Sequence, residues 1–318
     1  MSISSNYKKP SSHTQRFEAL RFDDLEADSI IIIENNADEL RGQLPLWAEI
    51  FESNPERIIS IDLIDKESIY IVKHNSNPFK IALNDTQSLT DLITHAHLYI
   101  DISSLPHHVW APILKAAFEA NVFPKVIYTE PASYKTHPTP TSFSQFDLTE
   151  SCEGLAPLPG FVKLFGRDDE TNSLFIAMLG FEGNRPQHLA MQLEPPPHII
   201  PVIGVPGFKL EYPEITVACN NSLLRENNAY ADIRYARASC PFEVYDTLSK
   251  IKEDYNGHYM YIAPLGTKPH ALGAVWFVIQ NPDNTELMYD HPIRKQGRTR
   301  GVGTIHIYDL GGGECIQS

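Results

Sequence analysis

The chain has 318 residues, of which 42% are hydrophobic, and a formal net charge of −14 at pH 7. This length suits two domains or one large one, and the hydrophobic fraction is ordinary for a folded globular protein. The acidic charge argues against a broad nucleic-acid-binding face, which needs clustered Lys and Arg. It does not exclude a local basic pocket for a small anion.

Cysteine usage and hydropathy narrow the class of protein. The four cysteines are Cys152, Cys219, Cys240 and Cys315. They form no Cys-x-x-Cys pair, so neither a zinc site nor a disulfide framework is indicated. The polar N-terminus lacks an apolar signal core, and no apolar run approaches the roughly 20 residues that cross a bilayer. We therefore expect a cytoplasmic protein with reduced thiols and without a membrane partner, metal or cofactor.

From about residue 25 to residue 130, apolar strand patterns alternate with helical patterns. The first apolar run covers residues 29–33, and the clearest helix covers residues 109–120, with apolar side chains on one side. The composition then changes, because proline, serine and threonine dominate much of residues 131–160. Such turn-rich composition predicts a linker or crossover, although an excursion within one continuous sheet fits it too.

Residues 161–318 repeat the alternation of strands and helices. Apolar strands are predicted near residues 174–179, 199–205, 259–264, 286–289 and 303–310. Strands that alternate with helices imply a mainly parallel sheet with helices on both faces. We therefore predict an α/β fold of two Rossmann-like halves, residues 25–130 and 161–318, joined by the linker.

A short motif occurs once in each half. Ser104-Leu105-Pro106-His107 matches Thr267-Lys268-Pro269-His270 without a gap, and each copy follows an apolar strand and opens a helix. True duplication explains the match, and so does the general likeness of any two Rossmann-like halves. The first copy has Leu105 in place of Lys268 and acidic neighbours, so we expect a structural or partner-facing role for that half.

The turn before the second helix is the strongest candidate for anion binding. A helix start offers free N–H groups and a positive dipole end, Thr267 suits the N-cap, and Lys268 adds a full charge. A lysine in the first turn costs about 0.3–1 kcal/mol unless something negative binds there. We therefore expect a phosphate or another small anion at this turn.

Polar residues follow four of the predicted second-half strands, and a parallel sheet would gather them at one edge. They are Gly180, Glu182, Gly183 and Arg185, then Gly204, Pro206 and Gly207, then Gly266, Thr267, Lys268 and His270, and finally Asp290, His291 and Arg294. Structural explanations are open as well. The glycines suit tight turns, Glu182 and Arg185 suit a weak surface ion pair, and a lone histidine packs more often than it catalyses.

A basic cluster near the C-terminus is equally open in meaning. It contains Arg294, Lys295, Arg298 and Arg300. Such a charge run suits either an anion pocket or a solvated loop. The familiar phosphate-loop, dinucleotide, serine-hydrolase and zinc-protease signatures do not occur in the sequence.

The Leu265-Gly266-Thr267-Lys268 turn resembles the Gly-Thr-Lys loop of CARF domains, which are Rossmann-like sensors of cyclic oligonucleotides in prokaryotic antiviral immunity. A chain with two CARF-like halves is also similar to the SAVED sensors. The resemblance implies that Gly266, Thr267 and Lys268 contact a ligand phosphate or ribose, and that Gly180 and Glu182 line the pocket. The first half lacks Gly-Thr-Lys, and no nuclease or helix-turn-helix segment is visible, so any effector is a separate chain.

We therefore expect a nucleotide-sensing regulatory subunit of a bacterial antiviral defence system rather than an enzyme. It would bind a small phosphate-bearing ligand, such as a cyclic oligonucleotide, and signal to a separate effector protein. Assembly into a homo-oligomer is compatible with this role. The expected ligand-binding residues are Gly180, Glu182, Gly183, Arg185, Gly266, Thr267, Lys268, His270 and Arg294. One alternative is an enzyme that hydrolyses a glycosidic or phosphodiester bond, with Glu182, His270 or His291 in acid–base roles. Another is a non-catalytic scaffold subunit.

Overall fold

A computed structural model describes residues 13–74, 76–93, 97–163 and 172–311. Within these ranges the chain is a mixed α/β protein with an eight-stranded sheet, a five-stranded sheet, three two-stranded ribbons and eight α-helices. Cys315 lies outside the described residues, and the other three cysteines are free thiols.

The strands are numbered in chain order. Those before residue 130 are β1 (Thr14–Phe17), β2 (Ile30–Glu34), β3 (Ile58–Leu63), β4 (Ser68–Lys73), β5 (Phe79–Ala82), β6 (Leu98–Asp101) and β7 (Lys125–Thr129). Those of the Pro/Ser/Thr-rich segment are β8 (Ser133–Tyr134), β9 (Thr136–Thr141), β10 (Ser144–Phe146) and β11 (Thr149–Cys152). The remainder are β12 (Ser173–Met178), β13 (His198–Gly204), β14 (Arg234–Ala236), β15 (Tyr259–Pro264), β16 (Thr285–Leu287), β17 (Pro292–Arg294), β18 (Thr299–Arg300) and β19 (Ile305–Asp309).

The helices connect these strands. They are α1 (Pro45–Ser53), α2 (Thr86–Ile93), α3 (His107–Glu119), α4 (Asn184–Ala190), α5 (Tyr212–Cys219), α6 (Asn221–Glu226), α7 (Pro241–Asp254) and α8 (Lys268–Gln280). Short 3₁₀ turns cover Phe22–Asp24, Leu40–Gly42, Pro55–Arg57 and Ala229–Asp232. None of the helices in the described ranges is long and apolar enough to cross a membrane.

The eight-stranded sheet is mixed rather than mainly parallel. Its order is β1-β19-β7-β6-β2-β3-β4-β5. The four middle strands, β7, β6, β2 and β3, run parallel to one another, and the remaining pairs are antiparallel. β4 and β5 are antiparallel because short turns connect them, and antiparallel pairs need no crossover. β19 joins this sheet between β1 and β7, although the domain prediction placed its residues in the C-terminal half.

The five-stranded sheet matches the parallel prediction. Its order is β14-β13-β12-β15-β16, and every neighbouring pair is parallel. All six residues of the central strand β12 are buried. A strand covered on both faces needs apolar side chains on both, which explains why its sequence is a continuous apolar run.

The two sheets share one hydrophobic core. A single cluster of buried residues contains side chains from both sheets and from the helices α3 and α8, which contact each other. Helix α8 is buried from Lys268 to Val278 because its sequence is apolar nearly all round. The helices that follow the two copies of the repeated motif therefore pack together.

The Pro/Ser/Thr-rich segment forms short strands rather than a free linker. β9 pairs with β10, while β8 pairs with β18 and β11 pairs with β17. Pro138 and Pro140 lie in β9, where a two-stranded ribbon leaves edge positions that need no N–H donor. This segment is held against residues 292–300, and both contribute side chains to the lining of one cavity.

Candidate functional site

A cavity of about 130 Å³ lies where the loops of the two sheets meet. The five-stranded sheet contributes the loops that follow the carboxyl ends of β12, β13 and β15. The first half contributes Arg41, His107 and Tyr128. Ligands of open α/β sheets bind beyond the carboxyl ends of the strands, so this position suits a binding site. We call it the central cavity.

Most of the residues expected to bind a ligand lie at the central cavity. Its lining includes Gly180, Glu182, Arg185, Gly266, Thr267, Lys268 and Arg294. The histidines are placed differently. His270 is fully buried and its Nε2 lies 3.1 Å from the Arg237 carbonyl, while His291 Nε2 lies 3.0 Å from the Ala156 carbonyl. Neither is in the cavity lining, so the expected cavity role does not fit either side chain.

Two glycines after β12 allow backbones to approach closely. A Cβ on Gly180 would lie 2.8 Å from the Leu265 carbonyl oxygen, and one on Gly183 would lie 1.8 Å from that of Cys219. Gly180 thus lets the loop after β12 lie against the loop after β15. Gly183 lies outside the central cavity, in the lining of a neighbouring groove, where its backbone packs against that of Cys219.

Thr267 caps helix α8, which confirms the predicted N-cap. Its Oγ1 accepts a hydrogen bond from the His270 N–H at 3.3 Å and donates one to the Ala238 carbonyl at 2.6 Å. Pro269 follows within the first turn, where its missing N–H costs nothing. The helix start is therefore fixed beside the central cavity.

Lys268 is not the open ammonium group that the sequence predicts. Only 7% of the residue is exposed, and its Nζ donates to the carbonyls of Ile102, Ser103 and Leu105 in the first half. Burial and then the charge of Arg294 lower the pKa of Lys268 well below its usual value. Three carbonyl oxygens around one nitrogen nevertheless favour the ammonium form, which alone has three N–H donors.

Arg294 binds the same turn of the first half. Its guanidinium donates to the carbonyls of Ser104 and Leu105. Burial and then the charge of Arg298 lower the pKa of Arg294 to about 10. Within the described part of the chain, neither Lys268 nor Arg294 forms an ion pair with a carboxylate. Both groups therefore hydrogen-bond to carbonyls, while the Glu39 carboxylate raises the pKa of each of them from a longer distance.

The predicted pair of Glu182 and Arg185 is part of a larger network. Arg185 donates to Glu182 at 3.0 Å, but it also forms a two-pronged ion pair with Asp290 at 2.6 and 2.8 Å. Burial raises the pKa of Asp290, but hydrogen bonds and charge from Arg185 outweigh it and hold this pKa below its usual value. Glu182 also accepts a hydrogen bond from Thr149 at 3.0 Å.

A second network, which the sequence does not predict, surrounds Glu39. Its carboxylate accepts hydrogen bonds from Arg41 at 2.6 Å, from Arg298 at 2.8 and 2.9 Å and from Thr299 at 2.7 Å. Despite burial, Arg41 and Arg298 hold the pKa of Glu39 well below its usual range. The contacts of Glu39 with Arg298 and Thr299 join residues more than 250 positions apart, so no local sequence pattern reveals them.

Four aromatic rings form one wall of the cavity. Tyr134, Phe146, Phe181 and Tyr212 contact each other, with ring centroids 4.6 to 5.9 Å apart. All except Phe146 line the central cavity. Sequence reasoning missed this wall, because Tyr134 and Phe146 come from the segment that it interpreted as a linker.

His107 is a cavity residue from the first half. Its Nδ1 lies 3.0 Å from the Tyr289 hydroxyl, and its Nε2 has no hydrogen-bond partner among the described residues. Burial and then the charge of Lys268 lower the pKa of His107 well below its usual value, so the imidazole is neutral at pH 7. When the hydroxyl donates to Nδ1, Nε2 carries the proton and can donate to an anion.

No protein-family model matches this sequence, and a search of curated proteins returned no match. The fold and the site therefore describe a mixed α/β protein whose two sheets meet at a basic cavity with an aromatic wall.

Proposed function

We propose that this protein binds a small phosphate-bearing ligand in the central cavity. The observation that carries this proposal is the concentration of positive charge in an otherwise acidic chain. Of the described residues, the cationic side chains that line the cavity are Arg41, Arg185, Lys268, Arg294 and Arg298. Three of them, Arg41, Arg185 and Arg298, are paired with carboxylates, whereas Lys268 and Arg294 bind carbonyls. Charge-assisted hydrogen bonds to phosphate are among the strong hydrogen bonds of proteins. In a partly buried site, dissolved salt screens them little.

The aromatic wall favours a nucleotide over an inorganic anion. Tyr134, Phe181 and Tyr212 line the cavity beside the cations. Stacking of a base on an aromatic ring contributes about 1–3 kcal/mol. A ligand that carries both a phosphate and a flat ring would place its phosphate among the cations and its ring near Phe181, which also lines a neighbouring groove.

The strand orders support two Rossmann-like halves. In the five-stranded sheet, the first strand in the chain, β12, lies in the middle and the chain moves outward on both sides. That order is typical of doubly wound dinucleotide-binding sheets. In the eight-stranded sheet, β2 has the same position among the parallel strands. We interpret the central cavity as the ligand site between two related halves.

The biological role that we propose is nucleotide sensing in bacterial antiviral defence. Support comes from the resemblance of the Gly266-Thr267-Lys268 turn to the CARF loop and from the position of this turn at the central cavity. The effector would be a separate cytoplasmic protein. A ligand anion near Lys268 and Arg294 would compete with the carbonyls of residues 102–105 for these two cations. Binding would therefore weaken the contact between the two halves and change their relative arrangement.

Titration calorimetry with inorganic phosphate, the four nucleoside monophosphates and cyclic oligonucleotides tests ligand binding. We expect Arg298→Gln to weaken the best ligand about 10- to 100-fold, because it removes a charged hydrogen-bond donor. Arg300→Gln is the matched control, since Arg300 is exposed two residues away and outside the cavity lining. Failure of all these ligands to bind, or an equal effect of the two variants, would contradict the proposal.

Chromatography of the same mixtures separates sensing from catalysis. Glu182 is the one candidate acid–base residue that lines the cavity, and Thr149 and Arg185 already bind its carboxylate. We therefore expect the ligand to be recovered intact after incubation with the protein. Release of a free base or an opened phosphodiester would instead support the enzyme.

A further inference from the structure

We propose that the ligand extends out of the central cavity into a neighbouring groove, which binds its uncharged nucleoside portion. This inference rests on the proposed function and deepens it. The groove has a volume of about 530 Å³ and lies between the ribbon of β9 and β10 and the helices α4 and α6. We call it the outer groove.

The outer groove borders the central cavity. Leu148, Thr149, Phe181 and Glu182 line both of them, and Thr149 donates a hydrogen bond to Glu182 at 3.0 Å. A ligand that occupies both spaces would pass these four side chains and compete for this hydrogen bond.

The volumes of the two spaces indicate which part of the ligand each of them can hold. A cavity of about 150 Å³ accommodates one benzene molecule, so the central cavity at about 130 Å³ accepts a group of that size or smaller. A phosphate fits this limit, whereas a complete nucleotide does not. The outer groove, at about 530 Å³, lies within the range of roughly 300–1,000 Å³ that is usual for ligand sites.

The charges of the two linings indicate where the phosphate and the nucleoside of the ligand would lie. The lining of the outer groove includes neutral amides and hydroxyls, from Ser144, Asn184, Gln187 and Ser222, together with His137 and the carboxylates of Asp147 and Glu182. The lysine in its lining, Lys295, is already paired with Asp147 at 2.6 Å. Neutral groups that both donate and accept hydrogen bonds match base edges and ribose hydroxyls. The positive charge stays in the central cavity, where the phosphate would lie.

An exposed aromatic ring lies at the outer groove. Phe143, in the turn between β9 and β10, lines the groove and is 59% exposed. A base that enters the groove can stack on such a ring. The chemistry that fits both spaces is a nucleotide with its phosphate in the central cavity and its base beside Phe143.

Calorimetry with inorganic phosphate and the four nucleoside monophosphates tests this arrangement. We expect at least one monophosphate to bind more tightly than phosphate alone. Phe143→Ala should weaken that monophosphate about tenfold through lost stacking and leave phosphate binding unchanged. Phe51→Ala is the matched control, because Phe51 is 54% exposed on α1 and lines neither space.

A second variant addresses the hydrogen bonds. Gln187→Ala should weaken the monophosphate about three- to tenfold. Gln87→Ala is its control, since Gln187 and Gln87 each donate one hydrogen bond to an acidic side chain at 2.8 Å.

The possible outcomes separate the two proposals. Phosphate that binds as tightly as every monophosphate, or a Phe143→Ala protein with unchanged monophosphate affinity, would overturn the outer-groove inference alone. A protein that binds neither phosphate nor any monophosphate would overturn the proposed function and this inference with it.

Discussion

The two copies of the repeated motif share a pattern but differ in what they contribute to the site. In the first copy, His107 lines the central cavity and leaves Nε2 without a partner among the described residues. In the second copy, Lys268 reaches the first copy and binds its backbone carbonyls. His270, the counterpart of His107, is buried away from the cavity.

This difference shows how one residue changes the role of a repeat. Leu105 occupies the place of Lys268, and its carbonyl accepts a hydrogen bond from that lysine. A second lysine at position 105 would bring another charge to a buried place that already holds Lys268 and Arg294. The asymmetry therefore lets the two halves bind each other at their matching turns. His107 also brings a side chain of the first half into the cavity lining.

The largest expected effect comes from breaking the contact between the two copies. Among the described residues, Lys268 is the one side chain that binds the carbonyls of Ile102, Ser103 and Leu105 together. Lys268→Met removes this donor from all three and leaves Arg294 as a partner of Leu105. We expect a loss of about 3–5 kcal/mol in the free energy of unfolding, measured by urea titration. Lys295→Met is the control, since Lys295 is 36% exposed in its ion pair and should change stability by less than about 1 kcal/mol. A small effect at Lys268 would mean that the halves are held by other contacts.

The buried histidine of the second copy should make stability depend on pH. Burial lowers the pKa of His270 to about 4, below an unfolded value of about 6.5. The unfolded state therefore binds more protons between these values, so His270 costs nothing above pH 6.5 and destabilises the fold as the pH falls. We expect up to about 1.4 kcal/mol per pH unit between pH 6.5 and 4 from this group. His270→Gln should flatten this part of the pH profile of urea unfolding, and an unchanged slope would refute the assignment.

The smallest expected effect distinguishes the two histidines by ligand binding. His107→Gln should weaken the best phosphate-bearing ligand about three- to tenfold, because the Nε2 donor is lost. His270→Gln is the control and should leave the affinity within about twofold, since His270 lies outside the cavity lining. Calorimetry on folded variants measures both, and equal effects would remove the difference between the copies.

Sequence patterns predicted the parts of this protein that depend on near neighbours. The buried strand β12, the cap of α8 by Thr267 and the polar residues after the second-half strands all follow from local patterns. The mixed character of the eight-stranded sheet did not, because pairing of β19 with β7 depends on contacts nearly 180 residues apart. Hydrophobic periodicity reports burial, not the partner of a strand.

At the central cavity, the contributions of local sequence and of tertiary structure differ in the same way. Sequence alone identified a lysine and a glycine turn suited to an anion, since a helix start has that property wherever it lies. Only the tertiary structure decided that Lys268 is held by carbonyls, that Glu39 joins Arg41 to Arg298, and that a Pro-rich segment supplies an aromatic wall. Such contacts join residues distant in the chain, and the free energy of burial and pairing depends on their arrangement in space.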